Sequence, residues 1–580
     1  MRGSSNNHKS KSEEEGVALV QVAEEGETTT KQQQQPDSNK AAEEEEEEEA
    51  GYGYSNWWST WVSSAVKKRV RAPGRVGIVV VVGGFVLLAL LAAVAATTTT
   101  TWPQLVDFTG AVQSSFLQFG NGDGARRHRP HRTSLVSIPI PFTCGSGNDT
   151  GTCPRYAASA PAPAPASMSP PPPQTSTVDY CPSYFRHIEL DLAAWVASGI
   201  SREAVERGRR QAHFRLLVVG GRAYVETYRR AFQTRDVFTQ WGILQLLRRY
   251  PGRVPDLDLM FNCDDMPEVR AAAYPDRAAA PPLFRYCKDP STLDVLFPDW
   301  SFWGWPEVNI RPWAPLLAEM AEEKARLPWS RREPYAYWKG NPDVSPLRQE
   351  LLRCNHSLPP DDTVRLYRQD WGFANRNAFR DSNLARQCRH RYKLYVQGRS
   401  WSVSRKYILA CDSPVLAVAT PYQDFFSRGL AAGKHYWPID PSRSKLCRDI
   451  RFAVRWGNAH PAQAQRMGLA GSAFATDDMA MDYVYDYMLH VLTRYASLLR
   501  YKPTVPDRAV ELCPESMACP RRGRDRDFMM QSREQYVADY QPCTIPPPPL
   551  TADDATNMAH RDAEVLSNID KMIITEDKHN

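Results

Sequence analysis

The run VGIVVVVGGFVLLALLAAVAA, Val76 to Ala96, carries no charge. At about 1.5 Å per residue, a helix over it spans roughly 30 Å, the thickness of a bilayer's hydrocarbon. Lys67, Lys68, Arg69, Arg71 and Arg75 stand just before it, and no basic residue follows closely. That asymmetry predicts a single-pass type II signal anchor with a cytosolic N-terminus. A cleaved signal peptide, the competing reading, is shorter and lies nearer the N-terminus. No other feature constrains the chain as strongly, because it sorts residues 1–75 and residues 97–580 onto opposite sides of a membrane.

Composition agrees with that sorting. Residues 1–75 contain Gln32–Gln35 and the acidic run Glu43–Glu49, the mark of a solvated, disordered tail. All twelve cysteines fall between Cys144 and Cys543, which predicts an oxidising compartment beyond the anchor. The sequons at Asn148 and Asn355 fit glycosylation there. Residues 97–180, with PAPAP at Pro161–Pro165 and a second proline run at Pro170–Pro173, read as an extended luminal stalk. A net charge of +5 over 580 residues gives no argument for nucleic acid, and the lack of any CxxC pair argues against a zinc ribbon. The terminal TEDKHN is not a KDEL-type signal. The Golgi membrane is therefore the expected location, with the endoplasmic reticulum as the alternative.

Globular periodicity begins near Cys181. Ile188, Leu192, Trp195 and Val196 recur at helical spacing, and HFRLLVVGGRAYVETY (213–228) reads as two strands joined at Gly220-Gly221. A helix over Asp236–Tyr250 follows. PDLDLMF then alternates with period two, and this strand ends in two adjacent acids, Asp264 and Asp265. Further on, Arg391–Val396 and Pro414–Ala419 read as strands, Ser404–Cys411 as a helix, and Met479–Tyr501 as a long amphipathic helix. Strands alternating with helices predict an α/β architecture.

Several stretches, in order, resemble the Rumi-type protein O-glucosyltransferases of glycosyltransferase family 90, and more closely the plant branch of that family. They are CPSYFRHIELDL (181–192), PDLDLMFNCDDMP (255–267), PDWSFWGWPE (298–307), YWKGN (337–341), YKLYVQGRSWSVSRKYILACDS (392–413) and HYWPI (435–439). The resemblance implies a GT-B-like pair of Rossmann-type domains, with an acceptor-side domain over 181–345 and a donor-binding domain over 346–505. Residues 506–580 read as an irregular extension. It also implies a UDP-sugar donor, UDP-glucose or UDP-xylose, a protein or glycan acceptor, and chemistry without a metal or other cofactor.

Transfer with inversion needs a base for the acceptor hydroxyl, positive charge for the leaving diphosphate, and a site that excludes water. The resemblance aligns Asp265 with the family's catalytic Asp, within the frame Asn262, Asp265, Pro267. Asp264 reads as a turn or ion-pair residue. A metal site built on both acids is the rival, but successive strand residues point opposite ways. Donor candidates are Lys339, Gly340, Asn341 and Arg348 on one loop. On the other are Gly398, Ser400, Trp401 and Ser402 ahead of a helix N-terminus, with Arg405 one residue off the family's arginine. Of WSFWGW, Trp303 is expected to face the acceptor, and Trp300 and Phe302 to pack in the core. HYWPI, with His435, is expected to brace a sheet edge. A tethered sugar-nucleotide- or glycan-binding protein without turnover is the competing function.

Overall fold

A computed structural model describes residues 137–144, 152–154, 178–356 and 363–579. The expected anchor over 76–96, the acidic tail, most of the stalk and Asn148 lie outside the described residues. Among the described residues, no helix is long and apolar enough to cross a membrane.

Strand β1 (Ile138–Pro139) precedes the first large sheet, which begins with β2 (Phe214–Val219) and β3 (Arg222–Thr227). These two form an antiparallel hairpin with Val219 opposite Arg222. Its turn residues, Gly220 and Gly221, have φ of 58° and 76°. A side chain would meet nothing within 4 Å at either glycine. Backbone conformation, not space, therefore requires glycine there. Strands β4 (Leu257–Phe261), β5 (Leu283–Arg285) and β6 (Val295–Leu296) complete this part, with β4 antiparallel to β2 and parallel to β5.

The second sheet holds β7 (Glu333–Gly340), β8 (Val364–Arg368), β9 (His390–Tyr395), β10 (Val415–Val418) and β11 (Trp437–Ile439). All its pairings are parallel, in the order β11-β10-β9-β7-β8. Read along the chain this is the doubly wound 2-1-3-4-5 order, whose crevice opens where β7 and β9 lie side by side. HYWPI supplies the edge strand β11. Strand β12 (Val510–Leu512) returns to the first sheet, giving β12-β3-β2-β4-β5-β6, and β13 (Tyr536–Val537) pairs with β1.

Four expectations change. The two sheets are not a Rossmann-type pair, because the first is mixed and opens with a hairpin. The boundary at 345 moves earlier, since β7 already belongs to the second sheet. The helix Met481–Leu498, placed with the second domain, packs on the first sheet: Tyr495 donates to the Asp258 carbonyl at 2.9 Å. The extension over 506–580 is regular. Besides β12 it carries the helix Ala552–His579, whose Ile569 and Ile573 are buried in the core of the second sheet.

The stalk boundary changes too. Disulfides Cys144–Cys519, Cys153–Cys513 and Cys181–Cys543 bind the described parts of 137–181 to the C-terminal region. Cys354–Cys447 and Cys388–Cys411 lie within the second half, and Cys263 and Cys287 are free and buried. The two sheets are also joined directly. Arg428 forks onto Asp191 at 2.7 and 2.6 Å, and Lys288 and Gln423 exchange backbone hydrogen bonds.

Candidate active site

The turn after β4 is built by its own side chains. Asn262 Oδ1 accepts the Asp264 N–H at 2.8 Å, and buried His213 Nδ1 accepts the Cys263 N–H at 3.0 Å. That leaves the His213 proton on Nε2, 3.5 Å from Asp264 Oδ1. Burial holds the His213 pKa down at about 4, with the Asp264 charge opposing. Asp264 also takes Arg229 at 2.9 Å. It is the ion-pair residue the sequence suggested.

Asp265 turns elsewhere. It is 30% exposed, and its Oδ1 accepts from Arg235 Nη1 at 2.7 Å. Arg235 opens the helix Arg235–Arg249 and stacks 4.5 Å over Trp300. One carboxylate oxygen is thus fixed and Oδ2 remains to take a proton. The two acids face different cations, which separates them as a joint ligand pair. Arg285, buried on β5, donates from Nη2 to the carbonyls of Asp264, at 2.9 Å, and Met266. Those carbonyls bracket Asp265. Sequence reasoning missed both arginines, because neither lies in a motif with a periodic or capping signal.

The two loops expected to hold a donor meet at the crevice of the second sheet. Lys339 Nζ donates to the Asp381 carbonyl at 2.7 Å, and Asn341 Oδ1 accepts the Asp343 N–H at 2.9 Å. A side chain at Gly340 would come within 2.5 Å of the Trp338 ring. Arg348 ties the loops together, donating to the carbonyls of Gln397 (2.8 Å), Asn341 (3.0 Å) and Val396 (3.3 Å) and to Ser402 Oγ (3.3 Å). All are neutral oxygens, so its charge is not cancelled; burial pulls its pKa below the ordinary arginine value. Gly398 makes a tight turn with its N–H on the Trp401 carbonyl at 3.2 Å, where a Cβ would stand 3.1 Å from that oxygen.

One contact unites the sheets at this point. Ser400 Oγ donates to the backbone carbonyl of Asp265 at 2.6 Å. The acid at the end of β4 and the loop after β9 therefore share one site. Trp401 is buried beside it, against Tyr286 and Trp300.

Two predicted residues stand differently. Trp303 is fully buried; its ring packs on Gly242 and its N–H donates to Tyr485 Oη at 3.0 Å. It faces the core because the 299–302 turn, capped by Asp299, rotates it inward, and Trp305 is the half-buried member of the motif. Arg405 points into its own sheet, 3.9 Å over the Tyr395 ring. At the helix Ser404–Leu409, the N–H groups of Ser402 and Ser404 are already taken by Tyr395 Oη (3.2 Å) and Ser402 Oγ (3.4 Å). His435, just before edge strand β11, is buried as expected, its Nδ1 accepting the Ala431 N–H at 2.9 Å. Asn355 is exposed, with its amide paired to the backbone of Leu366. A tie the sequence did not suggest is buried Lys406, which reaches Ser301 Oγ at 2.5 Å and Asp299 at 3.5 Å across the sheets.

Residues 176–573 match the family model described as glycosyl transferase family 90. The chain belongs to that family. As a family 90 member it is a glycosyltransferase, and the matched region takes in the C-terminal segment that the sequence reading had set apart. It is similar to protein O-glucosyltransferase 1 of Bos taurus, 27% identical over 337 residues, 56% of this chain and 82% of that one. It is also similar to the O-glucosyltransferase rumi of Drosophila melanogaster, 24% identical over 347 residues, 58% and 82% of the two chains. The Homo sapiens protein O-glucosyltransferase 1 is 26% identical over 337 residues.

Proposed function

We propose that this family 90 enzyme transfers glucose or xylose, with inversion, from a UDP-sugar to a protein Ser or a glycan hydroxyl. The observation that carries the reading is the Ser400–Asp265 contact, which puts a partly exposed carboxylate against the donor crevice. The relatives are named as O-glucosyltransferases, which favours glucose and a protein hydroxyl.

In this reading the arrangement is GT-B-like. Asp265 Oδ2 takes the acceptor proton as the acceptor oxygen attacks the sugar's C1. The bond from C1 to the diphosphate oxygen breaks, and its electron pair leaves with UDP. Lys339 and Arg348 supply charge for that leaving group without a metal ion. The crevice lies beyond the carboxyl ends of β4 and of the second sheet's strands, and buried Trp300 and Trp401 wall it against water. The proposal includes a type II anchor over 76–96, residence in the Golgi, and glycans on Asn148 and Asn355.

The test uses the chain from residue 97 onward, which retains every disulfide cysteine. UDP release is measured with UDP-glucose and UDP-xylose in EDTA, beside Asp265→Asn. General-base removal is expected to lower turnover about 10²- to 10⁴-fold while UDP still binds. Turnover undiminished in Asp265→Asn rejects Asp265 as base, and activity abolished by EDTA rejects the metal-free reading.

A further inference from the structure

We propose that Arg399 is the side chain of the β9 loop that grips the leaving diphosphate; the assignment rests on the donor reading above. Arg405, one residue off the family's arginine, was the candidate for that role, and the structure turns it away into the Tyr395 ring. Arg348 is equally committed, with its guanidinium spent on three carbonyls and one hydroxyl.

Arg399 differs from both. It lies between buried Gly398 and buried Ser400, yet its own side chain is exposed. Among the described residues no carboxylate, carbonyl or ring contacts it. Its backbone is held from both sides. The Gly398 N–H bonds the Trp401 carbonyl, and Ser400 Oγ bonds the Asp265 carbonyl. A guanidinium with all five donors uncommitted thus hangs from a fixed turn, one residue from the contact to the base.

The local charge points the same way. Lys339 lies at the end of β7, and Arg348 and Arg399 stand on the segments that follow β7 and β9; the polar partners of the first two are neutral oxygens. Cations left unbalanced at the carboxyl ends of a parallel sheet form an anion site. Arg348 contributes fixed charge and holds the loops. Arg399 contributes a planar fork that fits two phosphate oxygens. It forms no covalent bond; it stabilises the charge that the diphosphate gains as the C1–O bond breaks.

The experiment is calorimetric binding of UDP, UMP and uridine to the full chain in detergent, for wild type, Arg399→Ala and Arg399→Lys. Arg399→Ala is expected to weaken UDP about 10- to 100-fold and to leave uridine within about twofold, with Arg399→Lys in between. Turnover at saturating donor should also fall in Arg399→Ala, because the charge develops in the transition state. Normal UDP affinity in Arg399→Ala overturns the assignment alone. Equal losses for UDP and uridine also overturn it, since they mark loop collapse rather than a phosphate contact. Wild type that binds no UDP overturns the donor reading and this assignment together.

Discussion

Replacing Arg285 by Met tests how the turn after β4 holds Asp265, the proposed base. The guanidinium donates to the Asp264 and Met266 carbonyls and lies 3.9 Å from Asp294, an ion pair without a hydrogen bond. Asp294 is independently held by the N–H groups of Glu268 and Val269. A hydrogen bond from a charged donor is worth about 1.5–3 kcal/mol, and breaking a buried pair costs about 3–5 kcal/mol. Because the ion pair is loose and Asp294 keeps its backbone partners, the lower end applies, about 3 kcal/mol. Two bare carbonyls beside Asp265 then let the turn relax. A shift of about 1 Å in a reacting group lowers turnover on the order of 10²-fold. The assay is UDP release at saturating donor and acceptor, beside UDP affinity and a urea midpoint with disulfides intact. The expected result is kcat down about 100-fold with UDP affinity within twofold. A destabilised variant with kcat within threefold of wild type would refute the reasoning, and would show that Asn262 and His213 alone hold the turn.

Three other outcomes follow from buried groups. Burial holds His187 and His435 at pKa about 3 and His213 at about 4, below the ordinary 6.5. Between pH 6.5 and about 4 the unfolded chain binds protons that the native chain refuses. Stability is therefore full above pH 6.5 and falls with acid, by at most about 4 kcal/mol per pH unit for the three, which denaturant midpoints at pH 7.5, 6.5 and 5.5 would show. Trp303→Ala should cost about 3–5 kcal/mol of stability, while the acceptor KM of the surviving folded enzyme stays unchanged. Lys406→Ala leaves Asp299 with only its Ser301 partners between the sheets and should cost about 3 kcal/mol of stability in a urea titration, with Lys406→Met less harmful.

Local elements were legible in the sequence because local periodicity and turn chemistry decide them. The Gly220-Gly221 hairpin, β9, β10 and the helix Arg235–Arg249 all stand where patterning placed them. The strand Leu257–Phe261 was found, but its alternation misleads. Asp258 is not on a wet face; it is fully buried and takes Arg215 at 2.7 and 2.6 Å. Ion pairing across strands leaves no mark in one strand's sequence. Asp265 was legible from its motif, whereas Arg235 and Arg285, thirty residues before it and twenty after, were not. Trp303 failed for a related reason: WSFWGW lies in a tight irregular turn, where spacing no longer tells which ring faces inward. The C-terminal segment looked irregular because its order comes from partners far away in the chain.

The three long disulfides also set a schedule for synthesis. Cys144 leaves the ribosome 375 residues before Cys519, and Cys181 leaves 362 before Cys543. At roughly 5–20 residues per second, each early thiol waits about 20–75 s for its mate. Cys388 and Cys411, only 23 apart, meet almost at once. During the wait the nearest available thiols are the wrong ones, including Cys263 and Cys287, which must finish unpaired. Strand β12 of the first sheet is likewise made late, after the whole second sheet. Cys144, Cys153 and Cys181 are therefore the last of the paired cysteines to find their mates.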